Sequence, residues 1–190
     1  MEQDLGTLFK QLHEDWRAHG RDWTKPGFRA IAVHRFGNWA LASKSRVVRK
    51  LLWLTYLPLF RYIRNHYGIE VPFSTAIGRR VIFGHQAGIV IHPNSQIGDD
   101  CLIRQNVTIG AVSDERFEDA PILGQGVSVG CGAVILGNVK IGTNAVIGPN
   151  VVVMSDVPPG AKVFVDPPRV IQISPGLVKS HERSKAGQHT

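Results

Sequence analysis

The chain has 190 residues, 43% of them hydrophobic, and a formal net charge of +7, which fits one or two compact units with a real core. The cationic excess lies outside the centre, because residues 1–75 hold twelve basic and six acidic groups, whereas residues 76–165 hold six and seven. A nearly neutral centre argues against a nucleic-acid-binding protein, which would concentrate cations on its main fold.

The first residues and the two cysteines indicate the cellular compartment. The first residues, MEQDLGTLF, are acidic and lack a long apolar run, so we expect no signal peptide. Cys101 and Cys131 show no metal-ligand spacing and are too few for a disulfide framework. We therefore expect a cytoplasmic protein.

The amino-terminal third is predicted to be helical. Residues 4–19 and 27–66 have helical spacing, and Pro58 should end or kink the second helix. The apolar run LLWLTYLPLF, residues 51–60, is about half as long as a membrane span. Cationic residues flank it on both sides, as in helices that lie on a membrane. We expect burial against neighbouring subunits or the next domain, with peripheral membrane contact through residues 46–64 as the alternative.

A six-residue period dominates the rest of the chain. Two columns of aliphatic residues carry it, the first being Ile97, Ile103, Ile109, Val129, Ile135, Ile141, Ile147 and Val153, and the second Val127, Ala133, Val139, Ala145, Val151 and Val157. A helix does not return a residue to one face every six positions, whereas short strands joined by turns do. The period therefore predicts stacked coils of a parallel β-helix with a core of Ile and Val.

Two interruptions of the period are candidate functional segments, because insertions in a repeat structure become loops on one face. One is the set of extra residues around FGHQAG, before Ile89 restarts the pattern. The other is the polar segment 111–121, which we expect to project as a loop. The chain leaves the period in a proline-rich stretch, and its polar end is expected to be mobile.

Several segments resemble those of the serine acetyltransferases: PGFRAIAVHRFGNWA, IGRRVIFGHQAGIVI, IRQNVTIGA, GAVILGNVKIG and DPPRVI. The likeness covers residues 26–171. It implies a mainly β protein, a left-handed parallel β-helix over residues 70–165, preceded by a short α-helical region over residues 1–69 and followed by an extension over residues 166–190. It also implies an acetyl-CoA-dependent O-acetyltransferase. The short helical part resembles compact relatives that are often encoded with polysaccharide biosynthesis.

The resemblance places the family's catalytic histidine on His85 and its partner acid, fifteen residues earlier, on Glu70. Moving acetyl from a thioester to a hydroxyl requires a base, and neutral imidazole suits that task near neutral pH. A carboxylate on the second ring nitrogen would fix the tautomer. Without the matched flanks, we would favour a surface or core histidine that happens to lie on a strand.

A metal site is the competing use of histidine on this fold, since carbonic anhydrases of the β-helix class gather three histidines around zinc. That arrangement needs a further histidine-containing coil at close spacing. Only His85 and His92 lie on the predicted β-helix, so we expect no catalytic metal.

The acceptor is where the chain departs from the serine-specific pattern. Gly84 stands where the family has Asp before the histidine, and Asp119-Ala120 stands where it has an Arg-His pair. The resemblance therefore leads us to expect a sugar or polysaccharide-precursor hydroxyl as acceptor, with serine as the alternative and a non-catalytic assembly module as a third possibility. The predicted acceptor-binding residues are Gly84, Gln105, Asp114, Glu118 and Asp119.

The donor, acetyl-CoA, is expected in a groove between adjacent subunits. The resemblance suggests the amides of Gly110 and Ala111 for the thioester oxygen, Cys131 and Pro149 along the pantetheine arm, and Arg169 at the adenosine phosphates. Such β-helices usually form trimers, so we expect a homotrimer, with a dimer of trimers as a further possibility.

Overall fold

The computed structural model describes residues 4–166 and residue 169. Apart from Asp166 and Arg169, the predicted extension over residues 166–190 lies outside the described residues. The described helices are α1 Leu5–Ala18, α2 Pro26–Leu41 and α3 Arg46–Tyr67. The described strands are β1 Ile69–Glu70, β2 Ala76–Ile77, β3 Ile82–Gly84, β4 Ile89–Ile91, β5 Gln96–Ile97, β6 Leu102–Arg104, β7 Thr108–Gly110, β8 Ile122–Leu123, β9 Ser128–Val129, β10 Val134–Leu136, β11 Lys140–Ile141, β12 Val146–Ile147, β13 Val152–Val153 and β14 Lys162–Val163.

The strands form three parallel sheets, and the chain winds around all three in each coil. The first sheet has the order β1-β4-β7-β10-β13, the second β2-β5-β8-β11 and the third β3-β6-β9-β12-β14. From β1 to β13, successive strands belong to successive sheets, so the chain turns a corner after each strand and returns to the first sheet one coil higher. The predicted parallel β-helix is confirmed.

The two aliphatic columns fill the interior of the β-helix. Every member of both columns is buried in one continuous core. Each fully buried Ile or Val side chain contributes about 1.5–3 kcal/mol relative to its exposed state. The corners between sheets are tight, and asparagines with positive φ turn several of them: Asn106, Asn144 and Asn150.

The helical region differs from its prediction at one place. The segment predicted as one helix over residues 27–66 is two helices, because the chain leaves the helix at residues 42–45. The Ser45 side chain then caps α3 by accepting a hydrogen bond from the Val48 N–H at 3.4 Å.

Pro58 does not end α3, which continues to Tyr67 and closes at Gly68 with a φ of 63°. Proline lacks an N–H, so the Leu54 carbonyl loses its helical donor. Since Leu54 and Pro58 are both exposed, water can satisfy that carbonyl. None of the described helices is both long enough and apolar enough to cross a membrane.

A buried ion pair joins the helices to the first coil. Arg35 of α2 donates from Nε to Asp15 Oδ2 of α1 at 2.9 Å and from Nη1 to the Ile77 carbonyl at 2.7 Å. Asp15 Oδ1 also accepts the Arg80 N–H at 3.2 Å. Removing one partner of such a pair strands a buried charge, so this network fixes how α1 and α2 sit against the β-helix.

Candidate active site

His85 lies on a two-residue insertion at the corner between the third and first sheets. Gly84 pairs with Arg104 and Val90 pairs with Thr108 in the next coil. Five residues lie between Gly84 and Val90 in the lower coil, whereas three lie between Arg104 and Thr108 in the upper coil. The extra residues expected around FGHQAG are therefore confirmed.

The inserted turn has an uncommon backbone. His85 has a φ of 69° and Ala87 a φ of 84°, a region that side chains other than glycine rarely adopt. Such strain persists only where the surroundings hold it, and it concentrates at functional sites. Here the unusual φ carries the imidazole outward, and His85 is exposed at the corner.

Backbone hydrogen bonds clamp this turn from both sides. Ala87 donates its N–H to the Tyr67 carbonyl at the end of α3, at 2.9 Å, and its carbonyl accepts the Asn106 N–H at 2.9 Å. A side chain at Gly88 would be strained, because φ is 67° there and an added Cβ would lie 3.0 Å from Asn106 Cα and 2.4 Å from its Oδ1. The position of the turn is thus set by α3 below and by the next coil above.

A cavity of about 820 Å³ opens beside His85, where the helical region meets the β-helix. Its lining residues are Ala18, His19, Gly20, Lys25, Pro26, Gly27, Ile82, Phe83, Gly84, His85, Gln86 and Gln105. The wall from α2 approaches closely because residue 27 is glycine, since an added Cβ would lie 2.0 Å from the Phe83 carbonyl oxygen. Two of the predicted acceptor-binding residues, Gly84 and Gln105, line this cavity with His85.

His19 and Lys25 are wall residues that the sequence did not reveal. The His19 ring donates from Nδ1 to the Asp15 carbonyl at 2.7 Å and accepts the Phe83 N–H at Nε2 at 3.3 Å. Burial lowers the pKa of His19, so the ring is a neutral structural part of the wall. Lys25 is exposed, and its ammonium is the cation that lines the cavity.

Gln105 occupies the corner one coil above His85. Its side-chain Oε1 is buried and has no hydrogen-bond partner. Buried amide oxygens are normally satisfied, so this atom is a candidate contact for a bound molecule. The edge continues upward, because Gly132 donates its N–H to the Gln105 carbonyl at 3.0 Å and Asn150 donates to the Cys131 carbonyl at 2.9 Å.

Cys131 and Pro149 therefore follow Gln105 along one edge of the β-helix. Cys131 is half-buried and Pro149 is exposed. Arg169 is exposed. Within the described ranges no group of three or more His, Cys, Asp or Glu residues is arranged to hold a metal ion.

Glu70 lies in β1 of the first sheet and pairs with Val90. In the described part of the chain, neither a hydrogen bond nor an ion pair joins its carboxylate to the ring of His85. The predicted pairing of these two residues stays a prediction.

The projecting loop leaves from a different corner. Between Ile109 and Ile122 the chain has eight more residues than between their partners Ile91 and Gln96 one coil below. The loop departs after Gly110 and Ala111, and its acids Asp114, Glu118 and Asp119 lie beyond them. None of these residues lines the cavity beside His85, so one chain does not bring the two groups together.

Side-chain contacts hold the loop on the surface. Arg116 forms an ion pair with Asp119 at 2.6 Å, and Glu118 Oε2 accepts a hydrogen bond from Asn94 Nδ2 at 2.9 Å. Phe117 packs edge-on against the His92 ring, with 4.3 Å between centroids. The pair with Arg116 neutralises Asp119, so the repulsion that Asp119 alone would exert on an anionic acceptor is weakened.

Known proteins resemble this chain in sequence and in fold. The family described as bacterial transferase hexapeptide (six repeats) matches residues 120–154. The serine acetyltransferase of Synechococcus elongatus is 36% identical over 146 residues, covering 77% of this chain and 57% of that protein, and that of Mycobacterium tuberculosis is 34% identical over 154 residues, covering 80% and 64%. The chain thus spans about three fifths of the length of these relatives.

Solved structures give the same picture. The soybean serine acetyltransferase apoenzyme has a TM-score of 0.72 and 31% identity, over 87% of this chain and 69% of that one. The soybean serine acetyltransferase complexed with serine has a TM-score of 0.72 and 32% identity, over 87% and 70%.

Proposed function

Since the chain belongs to the serine acetyltransferase family, we propose that it transfers an acetyl group from acetyl-CoA to a hydroxyl, with His85 as the general base. The imidazole takes the hydroxyl proton as the acceptor oxygen attacks the thioester carbon. The tetrahedral oxyanion then collapses, the carbon–sulfur bond breaks, and the imidazolium returns its proton to the CoA thiolate. The observation that carries this proposal is the exposed imidazole on a clamped, strained insertion beside a cavity.

The donor and the trimer belong together in this proposal. Acetyl-CoA would follow the edge formed by Gln105, Cys131 and Pro149, above His85. The oxyanion donors proposed at Gly110 and Ala111 lie at another corner, so a neighbouring subunit would have to supply them. A homotrimer, in which a corner of one β-helix faces a different corner of the next, meets that requirement.

Glu70 is proposed as a positioning residue that orients the ring of His85 from the coil below. Replacing it with Gln should lower kcat while leaving the KM for acetyl-CoA unchanged. A KM effect alone would contradict this role, because a residue that acts through the base changes the chemical step.

Serine is the first candidate acceptor, which revises the expectation of a sugar. The named relatives given above are serine acetyltransferases. A free serine needs a cationic partner for its carboxylate, and Lys25 offers one at the cavity beside His85. The ion pair of Arg116 with Asp119 also removes part of the electrostatic objection to serine.

A sugar hydroxyl is the second candidate, and Gly84 favours it. An added Cβ there would lie 3.4 Å from Leu102 Cδ1, which is an ordinary contact, so packing does not demand glycine. The position instead leaves open space next to the base, where the family resemblance implies an aspartate that would meet the serine ammonium. The link to polysaccharide synthesis remains part of this second candidate.

A thiol-release assay with acetyl-CoA separates the candidates. Free serine, nucleotide sugars and oligosaccharides would be offered to the purified chain as acceptors. For serine we expect a kcat/KM of about 10⁴ M⁻¹s⁻¹ or more, the low end of the usual enzyme range. Turnover of a nucleotide sugar or oligosaccharide with serine inactive would support the second candidate, and no acceptor-dependent release would support a non-catalytic module.

Two substitutions sharpen the assay. Lys25→Met should raise the KM for serine about tenfold with kcat nearly unchanged, whereas Lys10→Met on the exposed face of α1 should change neither. Gly84→Asp should raise kcat/KM for serine, because the new carboxylate meets the ammonium. If serine is the acceptor and Gly84→Asp lowers its turnover, the proposed orientation of serine is wrong.

A further inference from the structure

The outward face of α3 is an apolar stripe that no other described element covers. The opposite face packs inward through Tyr56 and Ile63. The exposed stripe repeats at helical spacing and consists of Val47 (70% exposed), Leu51 (60%), Leu54 (60%), Pro58 and Tyr62 (50%), with Val48 and Leu59 beside it. Within the chain, α3 therefore buries one face and leaves the other face exposed.

Cations border the stripe, and α3 contains no acidic residue. They are Arg46, Arg49, Lys50, Arg61 and Arg64. On a helical wheel four of them, Arg49 excepted, lie together along one side of the stripe. No carboxylate among the described residues forms an ion pair with any of the five, so their charge faces outward.

We propose that the outward face of α3 docks on a membrane surface that carries anionic phospholipid. An amphipathic helix of this kind lies in the plane of the interface, with its apolar stripe among the acyl chains and its cations at the headgroups.

The amino-terminal end of α3 adds a concave seat of about 370 Å³. Its lining residues are Leu41, Arg46, Arg49, Lys50, Trp53 and Phe73. Three cations and two aromatic rings line it, and the cations suit a lipid phosphate. A second open concavity of about 520 Å³ near Arg61 and Tyr62 repeats the combination of cation and ring.

A second copy of the chain fits this face less well. A two-fold axis across two α3 helices would pair the cations at residues 46–50 of one copy with those at residues 61–64 of the other, and an axis along the helices would pair the same cations with each other. With no acid on the helix, neither copy can neutralise its partner. An anionic bilayer supplies the missing charge.

Docking through α3 would also set the position of the candidate active site relative to the membrane. The last carbonyls of the helix region hold the inserted turn, since Tyr67 accepts the Ala87 N–H at 2.9 Å and Gly68 accepts the Ile89 N–H at 3.0 Å. The His85 corner therefore lies at the carboxyl end of the docked helix. The docking itself does not depend on the proposed acetyl transfer.

Flotation of the full chain with vesicles tests the proposal. We expect binding to equimolar phosphatidylglycerol and phosphatidylcholine, no binding to phosphatidylcholine alone, and weaker binding at high salt, which screens surface charge. The double change Leu51→Glu with Leu54→Glu should weaken binding about tenfold or more. Phe9→Glu, at an equally exposed apolar residue of α1, is the matched control and should retain binding.

Two variants that remove positive charge test the electrostatic contribution to vesicle binding. Arg61→Gln with Arg64→Gln should weaken binding to the anionic vesicles, whereas Lys162→Gln on the β-helix should not. Circular dichroism and light scattering of each variant establish that fold and oligomeric state are kept. Absence of wild-type binding to anionic vesicles would overturn the proposal, and so would a change in oligomeric state in the leucine variant, since a second copy would then occupy the face.

Discussion

Two corners of the β-helix carry extra residues, and they are held in different ways. The turn at His85 adds two residues, and backbone hydrogen bonds from Tyr67 and Asn106 clamp it. The loop at residues 111–121 adds eight, and the Arg116–Asp119 pair and other surface side chains hold it. Backbone clamps fix a position, whereas exposed ion pairs contribute little stability. A base needs the first arrangement, and adaptable recognition can use the second.

The two corners should differ most in the loss of unfolding free energy when one glycine in each corner is replaced with alanine. Gly88→Ala introduces a Cβ at a φ of 67°, 2.4 Å from Asn106 Oδ1, and should cost about 1–3 kcal/mol of unfolding free energy as well as catalytic rate. At Gly110, which opens the loop, an added Cβ meets only Leu136 Cδ2 at 4.0 Å. Gly110→Ala should therefore stay within about 0.5 kcal/mol of the parent in urea unfolding. Equal costs at both glycines would show that the first corner is not clamped.

Relieving the strained backbone should have a smaller effect of opposite sign. Ala87 has a φ of 84°, which glycine adopts freely, so Ala87→Gly should raise the free energy of unfolding by about 1 kcal/mol. Ala111→Gly in the loop lacks this benefit and should lower it slightly. Both are measured by urea unfolding at one protein concentration. Destabilisation by Ala87→Gly would mean that the turn is not strained at this residue.

The smallest effect on stability is expected at the loop. Arg116→Gln breaks an exposed ion pair with Asp119 and should change the unfolding free energy by less than about 1 kcal/mol. Its KM for serine should nevertheless rise, because Asp119 loses the partner that neutralises it and repels the serine carboxylate more strongly. Thermal unfolding and steady-state kinetics on the same preparation check both statements. A large loss of stability would place Arg116 in the framework, like the buried Arg35.

The sequence predicted the features that depend on spacing. The six-residue columns identified the core and the β-helix, because short strands joined by turns return a residue to the same face every six positions and a helix does not. The same period exposed both interruptions, since an insertion shifts every later residue out of register. His85 and Gln105 were placed by this pattern together with the family resemblance, and the structure brings both to one cavity.

Features that depend on how distant elements meet were not predicted. His19 and Lys25 lie on the connection between α1 and α2, which reaches the cavity only because Gly27 allows α2 to touch Phe83. The break at residues 42–45 was missed because polar residues continue a helical spacing there. Pro58 was predicted to end or kink its helix, and it does not end it, because the carbonyl it leaves unpaired faces water.

Acetyl transfer by His85→Ala, measured beside Gln86→Ala, tests the central claim most directly. Both residues are exposed and belong to the same insertion, but only the change at His85 removes the proposed base. We predict that His85→Ala lowers kcat at least about 10²-fold with fold retained, and that Gln86→Ala stays within a few-fold of the parent. Similar kcat values for the two variants would contradict the account.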